Sequence, residues 1–365
     1  MIIEEAAIKS FRNITELCFS PCEGINIIFG ENAQGKTNML EALWLFTGYK
    51  SFRTVRDCEL ISFGAPLSRL SMTYTTRVRS FKCEIAIDDK RHAKQNGVEL
   101  KSASELVGGF LAVIFSPVHL SLIKDGPSER RKFLDIAICR LSPGYSEALK
   151  KYRYALNERN SLLKDVQYHS ELYDTLEIWE QQLAVHGARI IDNRIRYVNK
   201  LSQQAGTVYN GLCAGKEEFC AVYAPEKLSL PDFAQRKEIA FSLLAQLKAD
   251  RKNDILLKTT TSGPHRDDLS VRLNGKSVRS YGSQGQQRSA ALALKLGEAQ
   301  VTEEVSGEKP VILLDDVMSE LDVNRQDYIL NKINGYQVFI TCCEPSQALR
   351  ACTGKSFNIQ NGGII

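Results

Sequence analysis

Gly30-Glu31-Asn32-Ala33-Gln34-Gly35-Lys36-Thr37 is a complete G-x-x-x-x-G-K-T stretch. Its glycines allow backbone conformations closed to other residues, so the loop can wrap an anion closely and aim its N–H groups inward. An apolar run, Gly24-Ile25-Asn26-Ile27-Ile28-Phe29, enters the loop. Leu40, Leu43, Trp44 and Phe46 follow it at helical spacing. Strand, glycine loop and helix in that order bring the positive end of a helix dipole to a phosphate. The pattern predicts an ATP site built from Gly30, Glu31, Asn32, Ala33, Gln34, Gly35, Lys36, Thr37 and Asn38. Lys36 is expected on the β- and γ-phosphates and Thr37 on Mg2+.

The second chemical signal lies far along the chain, where Val311-Ile312-Leu313-Leu314 runs into Asp315-Asp316. A carboxylate ending a buried strand beside a P-loop usually holds the Mg2+ shell, which assigns the metal to Thr37 and Asp315. Asp316 is then the group that orients or deprotonates the attacking water, with Lys36 as its catalytic companion. Aspartate is one methylene shorter than the glutamate alternative, so slow hydrolysis is expected. Ahead of this strand, Tyr281-Gly282-Ser283-Gln284-Gly285-Gln286-Gln287-Arg288 opens a helix rich in alanine and leucine. A polar, glycine-containing turn at a helix N-terminus is an anion receptor. It resembles the signature of ABC ATPases, which contacts the γ-phosphate held by the opposing subunit. Ser283, Gln284, Gly285 and Gln286 are its residues here, and Met318-Ser319-Glu320-Leu321-Asp322 resembles the D-loop of the same superfamily.

Around these motifs, Ile2 to Phe11 alternates loosely, and Leu70–Thr75 with Phe81–Ile87 reads as an antiparallel hairpin. Val338-Phe339-Ile340-Thr341 joins residues 311–314 as an uninterrupted β-branched run suited to a parallel sheet covered on both faces. Between the two halves, Leu149, Tyr152, Leu156 and Leu163 form one helical stripe, and Leu176, Trp179, Leu183, Ile190 and Leu201 a looser one. Two long amphipathic helices are expected there, either as an ordinary helical subdomain or as a short antiparallel coiled-coil arm. The predicted fold is thus α/β, an ABC-type ATPase domain with a mixed sheet, helices and an antiparallel β part. It would comprise residues 1–125 and 256–365, the latter carrying signature, acidic strand and D-loop, and be interrupted by a mainly α-helical lobe at 126–255.

Composition bounds the alternatives. The 365 residues are 43% hydrophobic and 25% charged, ordinary for a globular chain, and no apolar run approaches membrane-spanning length. The opening MIIEEAAIKSF has acids where a secretory signal carries basic residues, so a cytoplasmic location without membrane partners is expected. None of the ten cysteines forms a C-x-x-C pair, which favours reduced thiols over disulfides or zinc. The net charge of +4 singles out no partner by itself. Basic clusters occur at Arg77-Arg79-Lys82, Arg130-Arg131-Lys132, Lys150-Lys151-Arg153 and Arg189-Arg194-Arg196-Lys200. From these, Arg130, Arg131, Lys150, Lys151 and Arg194 are the candidate DNA contacts. Such side chains give salt-dependent, sequence-independent phosphate binding, and no base-reading motif accompanies them.

Taken with Lys9-Ser10-Phe11-Arg12-Asn13, Phe115-Ser116-Pro117, the block from Ile123 to Asp135, and Ser262-Gly263-Pro264-His265-Arg266-Asp267-Asp268, these motifs run over nearly the whole chain. They resemble the RecF family of bacterial replication, recombination and repair ATPases. The resemblance implies an ATP-dependent homodimer that binds single-strand gaps or junctions of single- and double-stranded DNA. It also implies help in loading recombinase together with RecR-type and RecO-type proteins, driven by weak, DNA-stimulated hydrolysis. It further puts Arg12 and Asn13 beside the nucleotide. Two positions depart from the wider pattern: Val118-His119 stand where acidic residues are common, and Thr341-Cys342-Cys343 where a histidine often follows the last core strand. A transporter's nucleotide-binding subunit shares P-loop, signature and acidic strand, but the long insertion ahead of the signature weighs against it. A small-molecule P-loop kinase would need neither signature nor D-loop.

Overall fold

Alternation in the first ten residues becomes strand β1 (Ile2–Phe11), which turns at Arg12-Asn13 into antiparallel β2 (Ile14–Phe19). The computed structural model describes the chain except residues 55, 167, 168, 170, 171, 232, 233, 347, 348 and 350–352. Next, β3 (Ile25–Phe29) leads through the glycine loop into helix α1 (Lys36–Leu45), whose residues Met39 to Leu45 are all buried. The expected hairpin forms as β4 (Ser68–Thr75) and β5 (Ser80–Ile87), in register from Ser68 opposite Ile87 to Thr75 opposite Ser80. Short strands β6 (Arg91–Gln95) and β7 (Val98–Glu99) extend it, and β8 (Ala112–Phe115) follows, buried throughout.

The middle of the chain begins with the single turn α2 (Ser121–Lys124) and α3 (Pro127–Cys139). Ser142 caps α4 (Pro143–Asp165) by accepting from the Tyr145 N–H, and Pro143 fills the first turn, where its missing N–H costs nothing. Along α4 the residues Tyr145, Leu149, Tyr152, Ala155 and Leu163 are buried, an inward face at spacings of three and four with Leu156 only half-buried. Then come α5 (Tyr173–Leu212), β9 (Phe219–Ala224), α6 (Arg236–Leu257), β10 (Asp268–Leu273), β11 (Lys276–Ser277) and the turn α7 (Val278–Tyr281). Arg159 on α4, fully buried, pairs with Glu180 on α5 at 3.0 Å and Asp254 on α6 at 2.7 Å. One buried charge thus ties the three helices α4, α5 and α6 together.

The chain returns through α8 (Gln284–Ser306), β12 (Val311–Asp315), α9 (Val323–Lys332), β13 (Val338–Cys342), β14 (Gly354–Gln360) and β15 (Gly363–Ile364). The central sheet has the order β15-β14-β3-β13-β12-β8, with the five strands from β14 to β8 parallel and β15 antiparallel to β14. A second six-stranded sheet, β2-β1-β4-β5-β6-β7, is antiparallel, and β11-β10-β9 make a third. Burial of β12 and β13 on both faces explains their unbroken apolar runs. No helix among the described residues is long and apolar enough to cross a membrane.

Two units result, one of Met1–Leu120, Thr207–Lys216 and Arg288–Ile365, the other of Ser121–Gly206 and Glu217–Gln287. This corrects the expected boundary at 256. Residues 256–287, signature turn included, belong with the middle unit, because β10 pairs with β9 from Asp268 opposite Ala224 to Leu273 opposite Phe219. The inserted part therefore carries a small sheet besides its helices.

Candidate functional site

Parallel strands deliver their C-terminal ends to one edge of a sheet, where a loop entering a helix can gather side chains. In the central sheet β13 lies between β3 and β12, so Thr341 stands level with Asp315 on one side and Ile28 on the other. The P-loop leaves β3 at this edge. Gly30 has φ 148°, Ala33 φ 65° and Gly35 φ 113°, left-handed values that let the loop coil before Lys36 starts α1. Lys36 is nearly buried, and its ammonium donates to the carbonyl oxygens of Gly30 and Glu31, both at 2.7 Å, across the mouth of the loop. Glu31, Asn32 and Ala33 are exposed on the outer side of the loop.

The Thr37 hydroxyl donates to Asp315 Oδ1 at 2.7 Å, and the Thr341 hydroxyl donates to the same oxygen at 2.8 Å. Thr341 also accepts from the Asp316 N–H at 2.9 Å. Asp315 is 5% exposed, and burial pushes its carboxyl pKa upward, against the two hydroxyl donors that pull it down. Asp316 sits at φ 52° with its carboxylate exposed and accepting from the Ser319 hydroxyl at 2.9 Å. Thr37 Oγ1 and Asp315 Oδ1 are hard oxygen donors. Their spacing is close to the edge of about 2.9 Å in an octahedron with Mg–O bonds of about 2.0–2.1 Å. The donor set fits Mg2+.

Two flanking turns fix the loop. Asn13 donates through Nδ2 to the Ala33 carbonyl at 3.0 Å and accepts from Asn38 Nδ2 at 2.7 Å. On the other flank, the turn between β14 and β15 donates the Asn361 N–H to Gln34 Oε1 at 2.6 Å and the Gly362 N–H to the Gln34 carbonyl at 3.0 Å. Asn13 thus touches the loop. Arg12 is spoken for: its guanidinium makes a bidentate pair with Glu41, at 3.0 and 2.8 Å, and reaches the Glu59 carbonyl. Glu41, fully buried on α1, also accepts from the Ser51 hydroxyl and pairs with Arg53, whose Nη1 meets Asn38 Oδ1 at 2.6 Å. Thr341, Glu41, Arg53 and the Asn361-Gly362 turn were not assigned roles from sequence. Only Thr341 carried a signal, as a hydroxyl closing a buried strand.

In the other unit, Ser283 caps α8 reciprocally. Its N–H donates to Gln286 Oε1 at 2.7 Å and its hydroxyl accepts from the Gln286 N–H at 3.3 Å. Ser283, Gln284 and Gly285 are exposed, and the space beside the Gly285 Cα is open. Gln286 also holds Glu217.

Two of the proposed DNA contacts are corrected. Arg130, 4% exposed, is locked bidentate on Asp268 at 2.7 and 2.9 Å and bonded to the Leu122 and Asp125 carbonyls. Arg194, 2% exposed, bonds Tyr145, the Pro264 carbonyl and Asp135. Both guanidiniums are internal struts, buried and bonded within the protein rather than presented to a phosphate outside. Arg131 is half-buried and donates to the Arg266 and Asp267 carbonyls, whereas Lys150 and Lys151 are exposed, Lys151 beside Glu147 at 2.7 Å.

Comparison with known proteins places the chain. The family model described as an AAA domain matches residues 6–304. The DNA replication and repair protein RecF of Acetivibrio thermocellus is 40% identical over 347 residues, 94% of each chain. That of Agathobacter rectalis is 39% identical over 374 residues, covering 100% of this chain and 99% of the relative. The solved structure of the recombination mediator protein RecF with ATP in the RecFOR pathway matches with a TM-score of 0.91 at 38% identity, covering 100% of this chain and 97% of the other. An Smc head domain from Pyrococcus furiosus, with an extended coiled coil and bound to the C-terminal domain of ScpA, gives a TM-score of 0.58 at 16% identity. It covers 100% of this chain and 95% of that one, and shares the fold.

Proposed function

The chain belongs to the family of RecF DNA replication and repair proteins, ATPases of AAA/ABC type, and on that premise we propose that it is an ATP-gated clamp on DNA. The observation that carries this reading is the meeting of Thr37 and Asp315 below the P-loop, two hard donors at metal-ligand spacing. There Thr37 and Asp315 would hold Mg2+, which when bound neutralises charge on the β- and γ-phosphates. Lys36, whose ammonium lies on the Gly30 and Glu31 carbonyls at the mouth of the loop, would exchange these partners for phosphate oxygens. Thr341 holds Asp315 and, through the Asp316 N–H, sets the backbone from which the Asp316 carboxylate orients the attacking water.

Gly30 to Asn38, with Asn13 as neighbour, are the proposed nucleotide contacts; Arg12 supports them through Glu41. Ser283, Gln284, Gly285 and Gln286 would meet the γ-phosphate bound by a second copy, which makes nucleotide part of the dimer interface. The ATPase core is thus proposed to be divided by the inserted unit. Lys150 and Lys151 remain exposed candidates for DNA phosphate, and recognition would be of gaps and junctions by charge and shape. Hydrolysis would be slow and stimulated by DNA, and RecR-type and RecO-type proteins are the expected partners in the cytoplasm.

The test is fluorescence anisotropy with gapped duplex over a salt series, with ADP or a non-hydrolysable ATP analogue. Tighter binding with the analogue, lost in Lys36→Arg along with nucleotide-dependent dimerisation in light scattering, is the expected result. Equal binding with both nucleotides would remove the clamp.

A further inference from the structure

The segment between α6 and β10 is bonded inward at nearly every residue. Thr261 donates both its N–H and its hydroxyl to Asp254. Gly263 is held at φ 127°, where a Cβ would lie 2.4 Å from the Tyr152 hydroxyl. The Pro264 carbonyl accepts from Arg194 at 2.6 Å. His265 spans the Tyr152 hydroxyl at 2.7 Å and the Thr260 carbonyl at 3.0 Å. Asp267, 1% exposed, takes the Tyr223 hydroxyl, and Asp268 takes Arg130. Arg266 alone among these points out. Its side chain is exposed, while its backbone is tied by its own N–H to the Gly263 carbonyl at 2.8 Å and by its carbonyl to Arg131.

Such a buried polar network demands that every member be satisfied, and it rigidifies what it holds. The product of this one is an exposed arginine on a fixed backbone. Asp267 is buried under the Tyr223 hydroxyl, Asp268 is paired with Arg130, and Asp135 is shared by Arg194, Tyr145 and Arg153. Arg131 lies directly beneath, its guanidinium on the Arg266 and Asp267 carbonyls. Burial lowers the Arg131 pKa, with the Arg194 and Arg266 charges acting the same way and Asp268 and Asp267 against them. We propose that Arg266 is a preset contact for a nucleic-acid phosphodiester, with Arg131 as the second positive charge beneath it. The assignment rests on the DNA-binding reading above and goes beyond it by naming the residue. A guanidinium forks onto phosphate oxygens, which are the same at every nucleotide, so the contact adds affinity without sequence preference. Because the backbone is fixed beforehand, binding has only one side chain to order.

Arg266→Gln, Arg266→Lys and, as a control for net charge, Lys252→Gln are compared in the full chain with labelled gapped duplex at several salt concentrations. Lys252 is an exposed cation of the same unit outside this segment. Arg266→Gln is expected to weaken binding several-fold on unrelated sequences and to reduce the slope of log K against log salt by about 1, the loss of one phosphate contact. Arg266→Lys keeps the slope, Lys252→Gln keeps both affinity and slope, and the melting temperature of Arg266→Gln stays at the wild-type value. Wild-type affinity and slope in Arg266→Gln would overturn the assignment while leaving the clamp standing, as would an equal loss in Lys252→Gln. A wild-type chain that binds no DNA would remove both.

Discussion

Asp315 joins two requirements that pull against each other. Metal binding needs its charge, yet burial beside β13 disfavours that charge and raises the pKa above the ordinary carboxyl value of about 3.9. An acid whose folded pKa is raised contributes stability that is fully present below the unfolded pKa and is lost as pH rises through the folded value. At neutral pH the empty site therefore carries an unfavourable charge, which Mg2+ and ATP relieve. Asp315→Asn keeps an oxygen for the Thr37 and Thr341 hydroxyls and removes the charge. In calorimetry without nucleotide it should melt at or above the wild-type temperature at pH 7, with the gap closing on acidification. Adding Mg2+ and ATP should raise the wild-type transition and leave the variant in place. A clearly lower melting temperature for the empty variant would mean that the ionised carboxylate stabilises the fold, against the burial argument. The basic candidates teach a related lesson at the same scale. Arg130 and Arg194 looked like surface charges in the sequence because the carboxylates that claim them, Asp268 and Asp135, lie 138 and 59 positions away. A run of arginines says nothing about which of them finds an internal partner.

Among the elements, the turn between β14 and β15 has the least conspicuous sequence and the most direct hold on the P-loop. Gly362, at φ 74°, passes so close to the turn after β1 that a Cβ would lie 2.3 Å from the Asn13 carbonyl oxygen. Both neighbours in that contact are backbone, so they cannot swing aside. Gly362→Ala should therefore push the turn away from Gln34 and loosen the loop that Gln34 and Asn13 jointly anchor. Strain of this kind is worth about 1–3 kcal/mol, which corresponds to ATP binding weaker by roughly 5- to 150-fold in equilibrium titration. The turn is peripheral, so the melting temperature should fall by only a few degrees. Unchanged ATP affinity would show that the hairpin packs on the loop without positioning it. Periodicity made β3, β4, β5, β12 and β13 legible, since alternation and unbroken apolar runs are consequences of one- or two-sided burial. The P-loop and acidic pair were legible because phosphate and metal chemistry restrict which residues can serve. The clasp was not, because its bond joins residues 327 positions apart and neither end has a chemistry of its own. The boundary at 256 was misplaced for the same reason: pairing of β10 with β9 is a long-range fact.

For the whole molecule, the P-loop with Asp315 and Asp316 belongs to one unit and the signature turn at Ser283 to the other. Residues that serve one nucleotide could therefore come from a single copy or from two. The proposed dimer commits to two copies, each lending its signature to the nucleotide of its partner. Variants broken at opposite ends of that composite site should then repair each other. Lys36→Arg spoils the P-loop and keeps an intact signature, while Ser283→Arg does the reverse on an exposed position beside the open Gly285. Each alone should show little DNA-stimulated hydrolysis, with Ser283→Arg still binding ATP. Mixed in equal amounts and free to exchange, half of the two-fold dimers would contain one of each, and each of those would hold one intact site. The mixture should recover about a quarter of wild-type turnover, rising and falling with total protein as dimers form and dissociate. Turnover no greater than the sum of the two separate variants would place the signature on the nucleotide of its own copy. Dimerisation would then lose its reason for depending on ATP, even if the P-loop chemistry stood unchanged.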